Sequence, residues 1–88
     1  PETFKLSKPY PNPFNHSLTI PINVTDEAIM KLDVIDLQGR QVDVIFNGLL
    51  TRGLHNITWD SKTHASGHYI IRLTTEKKVY HEKTTLLK

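Results

Sequence analysis

The sequence contains no cysteine, and this absence removes several kinds of chemistry. Without cysteine there is no disulfide framework, no thiolate ligand for a metal ion and no cysteine nucleophile. The absence assigns no cellular compartment, because many exported bacterial proteins also lack cysteine.

Long apolar runs and a strong net charge are missing as well. No apolar stretch approaches the roughly 20 residues that a membrane-spanning helix requires. The formal net charge is only +2, from 11 basic and 9 acidic residues, and no basic cluster alternates with aromatic residues. We therefore expect neither a membrane span nor a nucleic-acid partner. The chain begins at Pro1 with neither a methionine nor a signal-like apolar segment, so we expect it to come from a longer precursor.

Clusters of catalytic or metal-binding residues are also absent from the sequence. No pair among the five histidines has helical spacing, and the aspartates lack the dense spacing of a calcium-binding loop. The serines do not lie in a nucleophile elbow, and the glycines form no phosphate-binding loop. The sequence therefore predicts a protein that is not an enzyme and that holds no metal and no cofactor.

What the sequence does contain is a series of short alternating apolar stripes. Apolar residues recur at every second position over 18–24, 30–34, 42–46 and 69–73, and His55, Ile57 and Trp59 share one face of a further stretch, as half-buried strands require. Turn residues such as Gln38-Gly39-Arg40 and Asn47-Gly48 separate the stripes. With a further strand near residues 4–6, this pattern predicts an all-β, immunoglobulin-like antiparallel sandwich of about seven strands. The predicted core comprises Leu32, Val34, Ile57, Trp59, Tyr69, Ile71 and Leu73.

Three prolines at alternate positions precede the first long stripe. Pro9, Pro11 and Pro13 fix the backbone φ angle and remove hydrogen-bond donors, so this segment is neither a helix nor a central strand. We expect residues 1–17 to form an extended lead-in that packs on a sandwich of residues 18–88, the whole being one structural domain. Phe14 is the expected anchor of the lead-in.

Trp59 admits two interpretations. An exposed indole could stack on a sugar ring, whereas a buried one would fill the space between two sheets. Trp59 shares its strand face with Ile57, and this parity favours the core. The same argument places Tyr69 in the core, beside Ile71.

The motifs taken together resemble a known family. The chain is similar to the type A C-terminal sorting domains of the type IX (Por) secretion system, which are found on exported proteins of Bacteroidota. The resemblance rests on ordered motifs at residues 4–6, 10–15, 18–20, 32–40, 47–48, 53–60, 65–73 and 83–88. The family often has proline at the position of His16, an aromatic residue at that of Ile35 and a bulkier apolar residue at that of Thr84.

The resemblance implies a transport signal carried by a folded domain. The outer-membrane secretion machinery would recognise the domain, and a surface peptidase would cleave the linker before it and attach the upstream cargo domain to the cell surface. The protein would thus be secreted or displayed at the surface. A terminal strand can be recognised by edge addition, so the expected recognition residues are Lys83, Leu86, Leu87 and Lys88. The expected structural motif comprises Pro11, Asn12, Pro13, Phe14, Gly39, Arg40, Gly53, Trp59, Gly67 and Tyr69.

Two other functions remain open at this point. A small β-sandwich can serve as a carbohydrate-binding or surface-attachment module of a secreted multidomain enzyme, or as a purely structural immunoglobulin-like domain. We expect a monomer in each case. We also expect the last residues to be frayed, so that loss of residues 86–88 would leave the fold intact.

Overall fold

A computed structural model describes residues 4–88 of the chain. These residues form seven strands and no helix. The strands are β1 (Phe4–Leu6), β2 (Ser17–Val24), β3 (Ala28–Ile35), β4 (Gln41–Leu50), β5 (Gly53–Asp60), β6 (Gly67–Thr75) and β7 (Val79–Leu86). Three strands form one sheet in the order β1-β2-β5, and four form the other in the order β4-β3-β6-β7. All strand pairs are antiparallel, which confirms the predicted sandwich.

The core lies between the inner faces of the two sheets. Leu18, Ile20 and Ile22 of β2 face the alternating apolar residues of β3 and β6, and all of them are fully buried. Of the predicted core residues, Ile57 alone is only half-buried. The reason is its position on β5, which has a neighbouring strand on one side only.

Strand β3 is paired along both edges, because it lies between β4 and β6. Asp33 lies on the outer face yet has no exposed area, and Arg72 stands directly opposite it on β6. The Arg72 Nε–H donates to Asp33 Oδ1 over 2.9 Å, and Nη2 donates to Oδ2 over 2.5 Å. These hydrogen bonds to Asp33 raise the pKa of Arg72. The two hydrogen bonds from Arg72 thus offset the cost of removing the Asp33 carboxylate from water.

A side-chain-capped turn joins β3 to β4. The Asp36 Oδ1 atom accepts the backbone N–H groups of Gln38 (3.0 Å) and Arg40 (2.9 Å), and Oδ2 accepts the Arg40 Nε–H (2.9 Å). The Arg40 backbone N–H is the main cause that lowers the pKa of the Asp36 carboxyl. Gly39 has a φ of +87°, which a residue with a side chain rarely adopts. Gly39 and Arg40 therefore form the predicted reversal.

Candidate functional site

The lead-in crosses from one sheet to the other. Tyr10 pairs with Thr19 of β2 through two backbone hydrogen bonds. The Tyr10 N–H donates to the Thr19 carbonyl oxygen (2.9 Å), and the Thr19 N–H donates to the Tyr10 carbonyl oxygen (2.8 Å). The following residues, Pro11 and Pro13, each come after a cis peptide bond. Phe14 then pairs in parallel with Leu86 of β7. The proline segment therefore closes one side of the sandwich by joining β2 of the first sheet to β7 of the second.

The lead-in holds the outer edge of β7 at the end of the chain. The Phe14 N–H donates to the Thr85 carbonyl oxygen (3.0 Å), and the Leu87 N–H donates to the Phe14 carbonyl oxygen (2.8 Å). The Asn12 Oδ1 atom accepts the Thr85 N–H (3.1 Å). The last residues are therefore paired on one side with β6 and on the other with the lead-in. This contradicts the expectation that they are frayed.

An aromatic cluster lies beneath this junction. The Phe14 ring is buried, with its centroid 5.6 Å from that of Trp59, and the Trp59 centroid is 5.5 Å from that of Tyr69. Trp59 is only 2% exposed, so its ring face is closed to a sugar. The Tyr69 hydroxyl donates to the Ala65 carbonyl oxygen over 2.6 Å. The core interpretation of both residues is confirmed, and neither ring offers a face on which a sugar could stack.

One carboxylate, missed in the sequence, ties this cluster to β4. The Trp59 Nε1–H donates to Asp43 Oδ2 over 2.8 Å, and the His64 Nε2 atom lies 3.4 Å from the same oxygen. Burial raises the pKa of Asp43, but the hydrogen bonds from Trp59 and His64 outweigh it, so the pKa is lowered overall. Because β4 and β5 belong to different sheets, the Trp59–Asp43 bond links the two sheets. A lone aspartate between valines gave no sequence signal for this contact.

The predicted recognition residues divide into two groups. Lys83, Leu87 and Lys88 are exposed, Leu87 to 55%. Lys88 is fixed on the loop between β5 and β6, because its N–H donates to Ser66 Oγ over 2.9 Å and its Nζ to the Lys62 carbonyl oxygen.

Leu86 differs from the other three, since it is fully buried in the core. Its side chain is therefore closed to a receptor in the folded domain.

Thr84 is an anomaly of this region. It is fully buried on the inner face of β7, and its hydroxyl oxygen has no hydrogen-bond partner. An unpaired buried hydroxyl costs stability, because it loses its bonds to water. The position is the one where the resemblance led us to expect a bulkier apolar residue.

The remaining motif residues take up structural positions. Gly53 is the first residue of β5 and Gly67 the first of β6. Among residues 4–88, no three histidine, aspartate or glutamate side chains come together in a way that could hold a metal ion.

An open cleft of about 740 Å³ lies at the other end of the sandwich, between the start of β3 and the β6–β7 turn. Ile29, Met30, Leu49 and Tyr80 form much of its apolar lining. No histidine, cysteine or serine lines it.

Comparison with known proteins identifies one match. A family model described as a secretion system C-terminal sorting domain matches residues 8–86, from just before the proline motif to the last residue of β7. No curated protein matches the chain, and no solved structure does. The part of the chain that the structure describes holds no helix long and apolar enough to cross a membrane.

Proposed function

The chain belongs to the family of secretion system C-terminal sorting domains, and on this premise we propose how its surface carries the signal. Such a domain is the sorting signal of type IX secretion and interacts with that machinery. The protein that carries it is exported across the outer membrane to the cell surface or the medium. The family is not catalytic, and we infer that this chain has no activity of its own.

The proposed recognition surface comprises the exposed residues Lys83, Leu87 and Lys88. The observation that supports it most is the double pairing of the chain end, by β6 on one side and by Phe14 on the other. Leu87 and Lys88 are held in place before any partner binds. A partner therefore loses little conformational entropy in binding them, which favours affinity.

Leu86 and the proline motif have a different role in this proposal. Leu86 contributes by anchoring the end of β7 in the core, and Asn12 and Phe14 contribute by holding the outer edge of that strand. Substitution of any of these residues would disturb recognition through the position of the chain end. They are positioning residues.

We further propose that the surface peptidase cleaves before Phe4. From Phe4 onward the backbone is paired, since Phe4, Lys5 and Leu6 lie opposite Val24, Asn23 and Ile22. A peptidase needs an extended, unpaired segment, which a sheet strand does not offer. Cleavage upstream of β1 would release or attach the cargo domain and leave the sorting domain whole. The isolated domain is a monomer in this proposal.

A paired-variant export assay tests the recognition surface. Residues 1–88 are fused to a reporter that bears a signal peptide, in a host with a type IX system, and the reporter is measured in the medium and on the cell surface. Lys83→Ala/Lys88→Ala should lower export several-fold. The free energy of unfolding should change by at most about 0.5 kcal/mol, as is usual when surface charges are removed. The matched control is Lys5→Ala/Lys77→Ala, which removes two exposed lysines elsewhere on the surface. Equal export by both variants would reject the assigned surface.

A further inference from the structure

The outer edge of β7 is only partly occupied. β7 pairs with β6 in continuous register from Leu86 opposite Gly67 to Val79 opposite Thr74, without a bulge. In an antiparallel pair, the backbone groups of successive residues point alternately toward and away from the neighbouring strand. The bonds that Thr85 and Leu87 make to the lead-in fix this alternation. Odd-numbered residues of β7 therefore direct their N–H and C=O groups outward.

The lead-in occupies the outward groups of the last residues alone. Thr85 and Leu87 bond to Asn12 and Phe14, whereas His81 and Lys83 make no such bond within residues 4–88. Residues 79–83 thus form a regular edge of extended chain, along which the outward N–H and C=O groups of Val79, His81 and Lys83 make no backbone hydrogen bond within residues 4–88. It contains neither proline nor glycine, which often protect edges. Because the terminal part is already filled, a strand that adds to β7 must lie along residues 79–83.

The charges beside this open edge indicate the kind of segment it fits. On the outer face of β3, β6 and β7, Lys31, Arg72 and Lys83 are positive and Asp33 alone is negative, and Asp33 is fully buried beneath Arg72. His81 lies between Val79 and Lys83 on the same face and is exposed. Glu82 lies on the opposite face of β7. The outer face next to the edge therefore carries an excess of positive charge, which attracts an acidic chain.

The edge of β5, one of the other edge strands of the sandwich, lacks this charge. The Ser61 N–H donates to the His16 carbonyl oxygen, so the odd-numbered residues beside it face β2 and the even-numbered ones face outward. The outward positions Leu54, Asn56 and Thr58 carry exposed uncharged side chains. Both edges offer backbone groups, but β7 alone of the two combines them with a basic outer face.

We propose that residues 79–83 of β7 bind an extended acidic segment of the secretion machinery as an added strand. The segment bonds to the outward backbone groups of Val79, His81 and Lys83, and its acidic side chains lie beside Lys83 and His81. This proposal rests on the proposed function, because the partner is the machinery that reads the sorting domain. It adds a second contact upstream of the chain end, in which the backbone supplies affinity and the lysine supplies selectivity.

Proline substitution tests the edge directly. His81→Pro removes an outward N–H and places a ring at the edge without removing a bond to β6, and an edge strand tolerates this change. Export of the fused reporter should fall about tenfold or more, which corresponds to about 1.4 kcal/mol of lost binding. Asn56→Pro is the matched control, since it makes the same change at an outward position of β5. His81→Ala separates loss of the side chain from loss of the N–H, and it should export better than His81→Pro.

The outcomes separate this proposal from the proposed function. If the unmodified fusion is not exported, the proposed function itself fails. Equal export of the unmodified fusion and a folded His81→Pro variant would overturn the β7 edge proposal. An equal loss of export by folded Asn56→Pro and folded His81→Pro would overturn it as well. Should His81→Pro unfold, Val79→Glu/His81→Glu decides, with Asn56→Glu/Thr58→Glu as its control. Loss of export by the β7 pair alone supports an acidic partner, and normal export by that pair rejects it.

Discussion

The two ends of the sandwich differ. At one end the lead-in bonds to the end of β7 above an aromatic cluster, and at the other end an open cleft lies beside the start of β3 and the β6–β7 turn. At the joined end Phe14, Trp59 and Leu86 are at most 2% exposed. At the cleft end Ile29 and Leu49 are 71% and 52% exposed although they face each other across β3 and β4. Phe4 and Met30 at the cleft end are also buried, at 3% and 1% exposed. The two ends therefore differ in that the cleft end leaves large apolar residues of β3 and β4 exposed, whereas the lead-in packs over the end that carries the proposed recognition residues.

The difference indicates what the proline motif does. Phe14 fills space between the sheets, while its backbone fixes the edge of β7. A single segment therefore couples core packing to the position of Leu87 and Lys88. At the cleft end side chains join the two sheets, since the ring centroids of Phe4 on β1 and Tyr80 on β7 lie 4.6 Å apart. We infer that the exposed residues of the cleft end tolerate substitution, whereas the buried anchor of the joined end does not.

Among single substitutions, the largest expected effect comes from removing the anchor of the joined end. Phe14→Ala should lower the free energy of unfolding by about 3–5 kcal/mol, because it leaves a cavity beside Trp59 and releases the lead-in. That is a large share of the roughly 5–15 kcal/mol by which small domains are stable. Ile29→Ala at the cleft end is the matched control and should change the free energy of unfolding by at most about 0.5 kcal/mol. Denaturant titration measures both. Similar losses in the two variants would remove the contrast between the ends.

Of two graded truncations of the chain end, the shorter should give a smaller but still clear effect. Removal of residues 87–88 breaks the Leu87 bond to Phe14 and the Lys88 bond to Ser66, at about 0.5–1.5 kcal/mol each. Removal of residues 86–88 also takes Leu86 out of the core, which should cost about 2–5 kcal/mol more. Circular dichroism during thermal unfolding should show the shorter truncation folded and the longer one strongly destabilised.

The two truncations also separate recognition from folding. The shorter one should lose export while it remains folded, because it deletes two of the proposed recognition residues. Normal export of that folded variant would place recognition elsewhere on the domain. Loss of export by the longer truncation would say little without the shorter one, since Leu86 belongs to the core.

The sequence predicted the sandwich and most of its core because both depend on local alternation. Leu32, Val34 and Trp59 follow a period of two, and any sheet that buries that face buries them. The anchoring role of Phe14 was also indicated by the donor-poor prolines around it. Its buried side chain agrees with that expectation.

The sequence did not reveal which distant segments meet. The pairing of Phe14 with Leu86 joins the two ends of the chain, and local periodicity carries no information about such partners. Asp33 occupies a polar position in an alternating strand, which normally indicates exposure. It is buried because Arg72 lies over it from the neighbouring strand. Arrangements of this kind depend on strand order and register, which the sequence pattern leaves open.

The smallest expected effect tests the one imperfect position of the joined end. Thr84→Val replaces a buried hydroxyl that has no partner by a methyl group of similar shape, and it should stabilise the domain by about 1 kcal/mol. Thr85→Val is the matched control, because the Thr85 hydroxyl lies 3.0 Å from His68 Nδ1 on the outer face and its loss should be neutral or slightly destabilising. Denaturant midpoints measured at an unchanged slope compare the two variants. A lower midpoint for Thr84→Val would mean that the hydroxyl has a stabilising partner in solution.

Export should be unchanged in Thr84→Val, because a fully buried side chain cannot contact a receptor. The joined end can then be made more stable without altering the surface that carries the signal.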